Sequence, residues 1–287
     1  MSKLMDYTVG IVGYGYVGKS THFFLPSNCE IMIYDIDPEI CVPKNTTIKD
    51  LKKCDLVFVS VPTPMNKDGS CHTDIVKLVI QQLHKENIHN IIVRSTVPVG
   101  FCSENKCFFM PEFITEKNWK DDVKNTKDWI IGTKNDLPSN IIHLLEVLQN
   151  ILNKSKEENK IKDSNLIIVQ NEYAEIAKLT RNCILATKVA FLNEINKFCE
   201  KKDMKYNKVR ELMILDSRIG ESHTSVPGHD GEFGFGGTCF VKDIWSLKRL
   251  FKENKVESPV IDAVIHRNEN IDRKSRSWEN MQGRAVI

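Results

Sequence analysis

The chain has 287 residues, 41% hydrophobic and 27% charged, enough to bury one large core or two moderate ones. Forty basic against thirty-eight acidic residues leave a formal charge of +2, and no block of like charge is long enough to track a phosphate backbone, which argues against nucleic acid as a partner. No stretch approaches the roughly 18 apolar residues of a membrane span, and MSKLMDYTVG opens into a strand-like run without an apolar signal core, so a cytosolic chain with no membrane partner is expected.

Up to about residue 170, short apolar runs alternate with helical or polar stretches: TVGIVG, EIMIYD, DLVFVSV, NIIVRST, KCFFM, DWIIG and NLIIV. Such a rhythm predicts βα units around a mainly parallel sheet. The polar segment NKSKEENKIKDSN, residues 153–165, reads as an exposed connection near the end of this domain. From Asn171 to about Lys201 there is no Gly or Pro and the apolar residues recur at helical spacing, which predicts one long helix. Further helices are expected over 206–215, 240–254 and 258–280, with a loop rich in Gly, Ser and His over 216–239. The expected architecture is therefore α/β over residues 1–170, followed by an all-α domain over 171–287 that the long helix connects.

IVGYGYVG places Gly13, Gly15 and Gly18 in G-x-G-x-x-G spacing. Alone this is a weak signal, since a glycine-rich turn has the same letters. Here it follows a strand-like run, opens a helix-like one, and precedes a second strand that ends at Tyr34-Asp35. In that context one glycine turns the chain, one lets the backbone approach a pyrophosphate, and one lets helix and strand pack closely, as in a Rossmann-type doubly wound sheet. The helix N-terminus faces the phosphates. Asp35 stands where an acid bonds the ribose 2′-hydroxyl, and no arginine follows it to welcome a 2′-phosphate, so NAD is favoured over NADP.

Nine cysteines are scattered, odd in number and without a C-x-x-C pair, so neither a disulfide frame nor a metal site is expected. In GFGGTCFVKD, residues 234–243, Cys239 has glycines on one side, giving flexible backbone that can approach a ligand, and a helix start on the other, whose dipole favours a thiolate. Lys242 adds positive charge, and Asp243 is a candidate base. A thiolate beside a nicotinamide suggests covalent chemistry on an aldehyde; an inert cysteine beside a turn explains these ten residues equally well. On the long helix Glu175, Lys178 and Asn182 share one face. Solvated charges are the usual reading of such a stripe, yet Lys178 and Asn182 lie in an apolar stretch where a buried lysine needs an anion.

Taken together these segments resemble the nucleotide-sugar 6-dehydrogenases across most of the chain and in order. GYGYVG is similar to their cofactor loop, and VPTP (61–64) with Gly69 and Asp74 to the segment after their fourth strand. STVPVG (95–100) and PEFITE (111–116) resemble two active-site loops, EYAEIAKLTRNCILATKVAFLNEINKFCE the long helix, DSRIG (216–220) the substrate loop, and GFGGTCFVKD the cysteine signature.

The resemblance implies oxidation of a sugar C6 alcohol to a carboxylate with two NAD. It implies that Asp243, with a bound water and Lys178, removes the hydroxyl proton, that Lys178 and Asn182 stabilise the oxyanion, and that Cys239 attacks the aldehyde. Thr96, Glu112 and Glu116 would position or activate water for thioester hydrolysis. NAD would be held by Gly13, Gly15, Tyr16, Val17, Gly18, Asp35, Pro62, Thr63, Ser95, Thr96 and Lys242. The sugar nucleotide would meet Phe113, Glu116, Lys178, Asn182, Phe235 and Gly236, with Arg218 reaching into a neighbouring subunit's site, which requires a homodimer with a composite active site. The plain alternatives are that Thr96 caps a turn, that Glu112 and Glu116 are solvated, and that Arg218 pairs with Asp216. Phe235 and Phe240 favour a UDP-glucose substrate; GDP-mannose and a UDP-N-acetylhexosamine are the rivals, and an NAD-binding relic without turnover is the alternative outside catalysis.

Full-length members carry a third domain that covers the nucleotide, and this chain reaches QGRAVI about where that domain's first strand would begin. A short form would fix the nucleotide through the 216–239 loop or the partner subunit. Departures from the family pattern are Met110 before PEF, Phe101 after STVPVG and Val241 in the cysteine signature.

Overall fold

A computed structural model describes residues 7–134 and 139–287; the first residues of MSKLMDYTVG lie outside them. The chain divides into two compact units, Met1–Thr63 with Thr73–Lys178, and Pro64–His72 with Leu179–Ile287.

The first unit is built on seven strands: β1 (Thr8–Val12), β2 (Glu30–Tyr34), β3 (Leu56–Val59), β4 (Ile91–Val93), β5 (Phe108–Phe109), β6 (Asp128–Thr133) and β7 (Asn165–Gln170). They form one sheet in the order β2-β1-β3-β4-β5-β6-β7. The pairs from β2 to β5 are parallel, β6 runs antiparallel to β5 through Phe109 opposite Gly132, and β7 is parallel to β6. Every residue of β3 and β4 is buried, which explains their unbroken apolar runs: a parallel strand covered on both faces has no solvent side to mark with polar residues.

Helices α1 (Tyr16–Phe24), α2 (Asp74–Lys85), α3 (Phe101–Glu104), α4 (Trp119–Lys124) and α5 (Ser139–Glu157) connect the strands. Two cores result, one around Phe24, Phe58, Trp129 and the Leu144, Leu148 and Leu152 ridge of α5, the other around Leu51, Val76, Ile80 and Phe109. The region 153–165 is not an open connection throughout. Helix α5 continues to Glu157, Ser155 is fully buried and returns its hydroxyl to the Ile151 carbonyl at 2.7 Å, and Ile161 belongs to the core. Its charged residues occupy the solvent side of the last turn, where Lys154 meets Glu157 at 3.0 Å, so composition alone conceals the buried face.

Helix α6 spans Asn171–Lys201 as its uninterrupted helical spacing predicts, and the division between the units falls within it, after Lys178. Its first residue joins it to the sheet: the Asn171 amide accepts from the Phe109 N–H at 3.1 Å and donates to the Cys107 carbonyl at 3.1 Å. Gly132 makes room for this, since a methyl there would stand 2.8 Å from both the Cα and the Oδ1 of Asn171.

The second unit contains the rest of α6, α7 (Tyr206–Met213), α8 (Phe240–Glu253) and α9 (Pro259–Arg267). The segment 64–72 belongs to it through the Met65 N–H bond to the Ala285 carbonyl at 2.8 Å, an Asp68–Arg249 ion pair at 3.5 Å, and Gly69, whose missing side chain would meet the Trp245 ring at 2.7 Å. The expected single helix over 258–280 is broken: α9 gives way at Asn268–Asp272 to one wide turn closed by the Arg273 N–H to the Asn268 carbonyl at 2.8 Å, and helical structure resumes only over Ser277–Asn280. No helix among the described residues is long and apolar enough to cross a membrane.

Candidate active site

In the first unit the glycines of the 13–18 turn divide their tasks by geometry. Gly13 has φ +83°, and a Cβ there would lie 2.6 Å from the Ser60 carbonyl oxygen. A Cβ at Gly18 would run into the Gly13 carbonyl, which sets how closely α1 approaches the turn. Gly15 differs from both: an added Cβ would meet no protein atom within 4 Å. Open space thus faces the one glycine that begins α1, where the first helical N–H groups lack partners and favour an anion. Tyr16 is exposed and Val17 half-buried. Asp35 accepts the Tyr14 N–H at 2.7 Å and the Asp37 N–H at 3.1 Å, one bond per carboxylate oxygen, leaving lone pairs on each for hydroxyl donors. These residues fit a dinucleotide with a free ribose diol. Pro62 is exposed, Thr63 buried, and the buried Ser95 donates to the Val61 carbonyl at 2.7 Å, which ties the loops after β3 and β4 together.

The loops that follow are fixed by buried charges. Glu175, fully buried, accepts the Gly100 N–H at 2.6 Å and the Cys102 N–H at 2.9 Å and so caps α3. Burial pushes its carboxyl above the ordinary range, although those two N–H groups oppose the shift. It belongs to the scaffold rather than to a reactive stripe with its helix neighbours. Thr96 is buried beside this loop. Lys178 is buried and donates to the Glu112 carboxylate at 2.8 Å and the Glu112 carbonyl at 2.7 Å, with the Phe113 ring 5.7 Å from its ammonium. Glu112 Oε2 is buried and takes no hydrogen bond from the described residues, so it is the lone pair left for a water or a ligand. Glu116 is exposed, next to Thr115, which Asp122 of α4 holds through both its N–H and its hydroxyl at 2.7 Å.

Arg94 is a residue that sequence reasoning passed over. It is buried at the end of β4, donates to the Thr21 hydroxyl at 2.8 Å, and covers the Phe24 ring at 5.6 Å. Burial lowers its pKa to about 10 against the opposing charge of Glu112. The signal was a charge inside IIVRST, directly after a strand with no exposed residue.

In the second unit Cys239 is exposed and stands as the residue that begins α8, with the Thr238 hydroxyl 3.6 Å from its sulfur. One turn on, Asp243 is buried; one oxygen takes the Asn182 amide at 2.6 Å and the other the Lys242 ammonium at 2.6 Å. Burial disfavours the Lys242 charge, but Asp243 and the thiols of Cys239 and Cys71 more than offset it, so Lys242 is held above the ordinary lysine range. Phe235 is buried and meets Phe240 edge to face at 6.3 Å, and the His223 ring lies 5.3 Å from that of Phe240. The glycines before Cys239 are not there for flexibility alone. A Cβ at Gly234 would collide with the Asn268 side chain and one at Gly236 with the Arg273 guanidinium, whereas Gly237, at φ +74°, faces open space.

Arg218 is exposed and forked onto Asp216 through contacts of 2.6 to 3.1 Å. The loop it sits on is held by Lys188 of α6, whose ammonium donates to the carbonyls of Ile219, Gly220 and Ser222 at 2.8, 3.0 and 2.6 Å.

Comparison with known proteins identifies both parts of the chain. The profile of the UDP-glucose/GDP-mannose dehydrogenase family, NAD binding domain, matches residues 41–153, and that of the same family's central domain matches residues 172–270. A UDP-glucose 6-dehydrogenase of Rickettsia bellii is 30% identical over 233 residues, covering 77% of this chain and 50% of the relative. The chain spans about half the length of the curated relatives it matches. Among solved structures, a UDP-glucose dehydrogenase from Pyrobaculum islandicum superposes with a TM-score of 0.77 at 21% identity, over 94% of this chain and 69% of that one. A 3-hydroxyisobutyrate dehydrogenase of Mycobacterium tuberculosis superposes at 0.67 and 13% identity, over 98% and 96%; both likenesses speak to the fold.

Proposed function

Because this chain belongs to the UDP-glucose/GDP-mannose dehydrogenase family, we propose that it oxidises UDP-glucose to UDP-glucuronate in two NAD-dependent steps through a covalent bond to Cys239. The observation that carries this reading is the exposed thiol at the start of α8, one turn from a buried Asp243 whose two oxygens are held by Asn182 and Lys242. NAD, when bound by the Gly13–Gly18 turn and Asp35, supplies the acceptor for both hydrides.

Asp243 takes the C6 hydroxyl proton through a bound water as the alcohol becomes an aldehyde, and the amide of Asn182 and the ammonium of Lys178 stabilise negative charge on the C6 oxygen. The Cys239 thiolate then adds to the aldehyde carbon and gives a thiohemiacetal, whose oxidation leaves a thioester. Water, activated by Glu112 with Thr96 and Glu116, adds to the thioester carbonyl; the carbon–sulfur bond breaks, and the carboxylate and the thiolate are released. The buried Oε2 of Glu112, which takes no hydrogen bond from the described residues, supports its part in this last step. Phe113, Phe235 and Gly236 would contact the sugar nucleotide. Two electrons leave in each oxidation, so each sugar yields two NADH.

A homodimer goes with this reading. Ile184, Phe191 and Phe198 recur every seven residues along α6 and are 61%, 58% and 57% exposed, a stripe suited to a second copy of the same helix. Arg218 on its exposed loop would serve the neighbouring subunit.

The test is a stoichiometry. With NAD and a panel of nucleotide sugars, two NADH per UDP-glucose is expected; two per GDP-mannose or UDP-N-acetylhexosamine keeps the chemistry and changes the substrate. One NADH per substrate points to simple alcohol oxidation, and none with any sugar leaves an NAD-binding chain without turnover. Cys239→Ala should abolish carboxylate formation while NAD affinity stays within about twofold; full turnover in that variant removes the covalent mechanism.

A further inference from the structure

We propose that the wide turn after α9 is a positioning device for the cysteine loop, with Asn268 and Arg273 as its two positioning residues; the inference rests on Cys239 being the nucleophile. A helix widened to an i→i+5 bond for a single turn is uncommon and sits at functional places more often than chance allows. Here the Arg273 N–H closes that ring on the Asn268 carbonyl at 2.8 Å, and both side chains meet the 234–237 loop.

Asn268 is 1% exposed and reads both backbone groups of one loop residue: its Oδ1 accepts the Phe235 N–H at 2.7 Å, and its Nδ2 donates to the Phe235 carbonyl at 2.9 Å. A primary amide that bonds both the N–H and the carbonyl of one residue fixes the two peptides that flank it, because either bond alone would leave the other peptide free to tilt. From α6, Asn193 accepts the preceding N–H, that of Gly234, at 3.1 Å. Arg273, 4% exposed and paired with Asp230, lies against Gly236, where a Cβ would come within 2.7 Å of its Cζ. Three consecutive peptides, from the Gly234 N–H to the Phe235 carbonyl, are thereby held, while an added Cβ at Gly237 would meet open space and Cys239 is exposed. The loop's glycines are required by contact with this turn at 234 and 236 and by the left-handed backbone at 234 and 237, where φ is +67° and +74°.

The device would therefore set where the Cys239 sulfur sits relative to a bound sugar. Displacement of a reacting group by about 1 Å costs on the order of 100-fold in rate. Asn268→Ala removes both bonds; Asn268→Asp keeps the shape and the acceptor for the Phe235 N–H but sets an oxygen, in place of the donor, against its carbonyl. Three quantities are read for each: kcat and KM with UDP-glucose and NAD, the rate of Cys239 alkylation by iodoacetamide without substrate, followed by mass spectrometry of its peptide, and the thermal midpoint. The expected result for Asn268→Ala is a kcat about 100-fold lower with KM for NAD within twofold, and a Cys239 alkylation rate altered several-fold at a temperature well below the midpoint. Asn268→Asp, with two oxygens facing each other where the donor stood, should also lower kcat and change the alkylation rate. Parental kcat and alkylation in a folded Asn268→Asp or Asn268→Ala overturns the proposal, as does a loss in which kcat and the thermal midpoint fall while KM for NAD rises with them. If the parent chain makes no NADH from any sugar, the functional reading fails, and the alkylation comparison still decides whether the turn controls the thiol.

Discussion

Replacing Lys178 by methionine should separate the structural from the chemical role of the Lys178–Glu112 pair. The two groups meet at 2.8 Å with side chains only 4% and 9% exposed, so bulk solvent screens the pair weakly. Removing the ammonium strips the donor from both the Glu112 carboxylate and the Glu112 carbonyl, and adds to a carboxylate whose second oxygen already has no bond from the described residues. Loss of one partner of a buried ion pair costs about 3–5 kcal/mol, whereas replacing both by apolar groups of similar volume is close to neutral. Lys178→Met should therefore destabilise the first unit by about 3–5 kcal/mol, and adding Glu112→Leu should recover part of that loss, the remainder being the buried Arg94 charge that Glu112 opposes. Hydrogen exchange by mass spectrometry, read on peptides covering β4 and β5, reports that unit's stability apart from the other's. Turnover should be absent in the single and the double variant alike. A single variant destabilised by less than about 1 kcal/mol, or a double variant no more stable than the single, would refute the argument that an uncompensated buried carboxylate drives the effect.

Two further outcomes test other parts of the reading. Gly15→Ala should leave the thermal midpoint unchanged, because its methyl meets no protein atom, yet weaken NAD binding at least tenfold by calorimetry, while Gly18→Ala should destabilise the fold by about 1–3 kcal/mol through its clash with the Gly13 carbonyl. Parental NAD affinity in Gly15→Ala would place the dinucleotide elsewhere. Mixing Arg218→Ala with Cys239→Ala subunits should restore activity that neither has alone, since some sites in a mixed dimer then combine an intact thiol with an intact neighbouring arginine; a mixture as inactive as its components removes the shared site.

What could be read from the letters, and what could not, follows the range of the interactions involved. The strands were legible because burial on both faces leaves only apolar residues in β3 and β4, and α6 because nothing in its 31 residues interrupts the period. The 13–18 turn was legible because its constraints are local: three glycines within six positions and an acid just after the next strand. Glu175 misled for the opposite reason. It shares a helix face with Lys178 and Asn182, but its partners are N–H groups about 75 residues earlier, and no periodicity reports a cap supplied from so far away. The break after α9 is the same case carried into backbone shape. Residues 268–273 have no proline or glycine to stop a helix, although Asn268, Asn270 and Asp272 favour one only weakly; what goes with the widened turn is a pair of side chains meeting backbone more than thirty positions back. At both places a distant partner holds a loop in one arrangement, residues 100–102 at Glu175 and the cysteine loop at Asn268. On that argument, the failure of the helical expectation at Asn268 points to the cysteine loop as directly as the glycines in GFGG do.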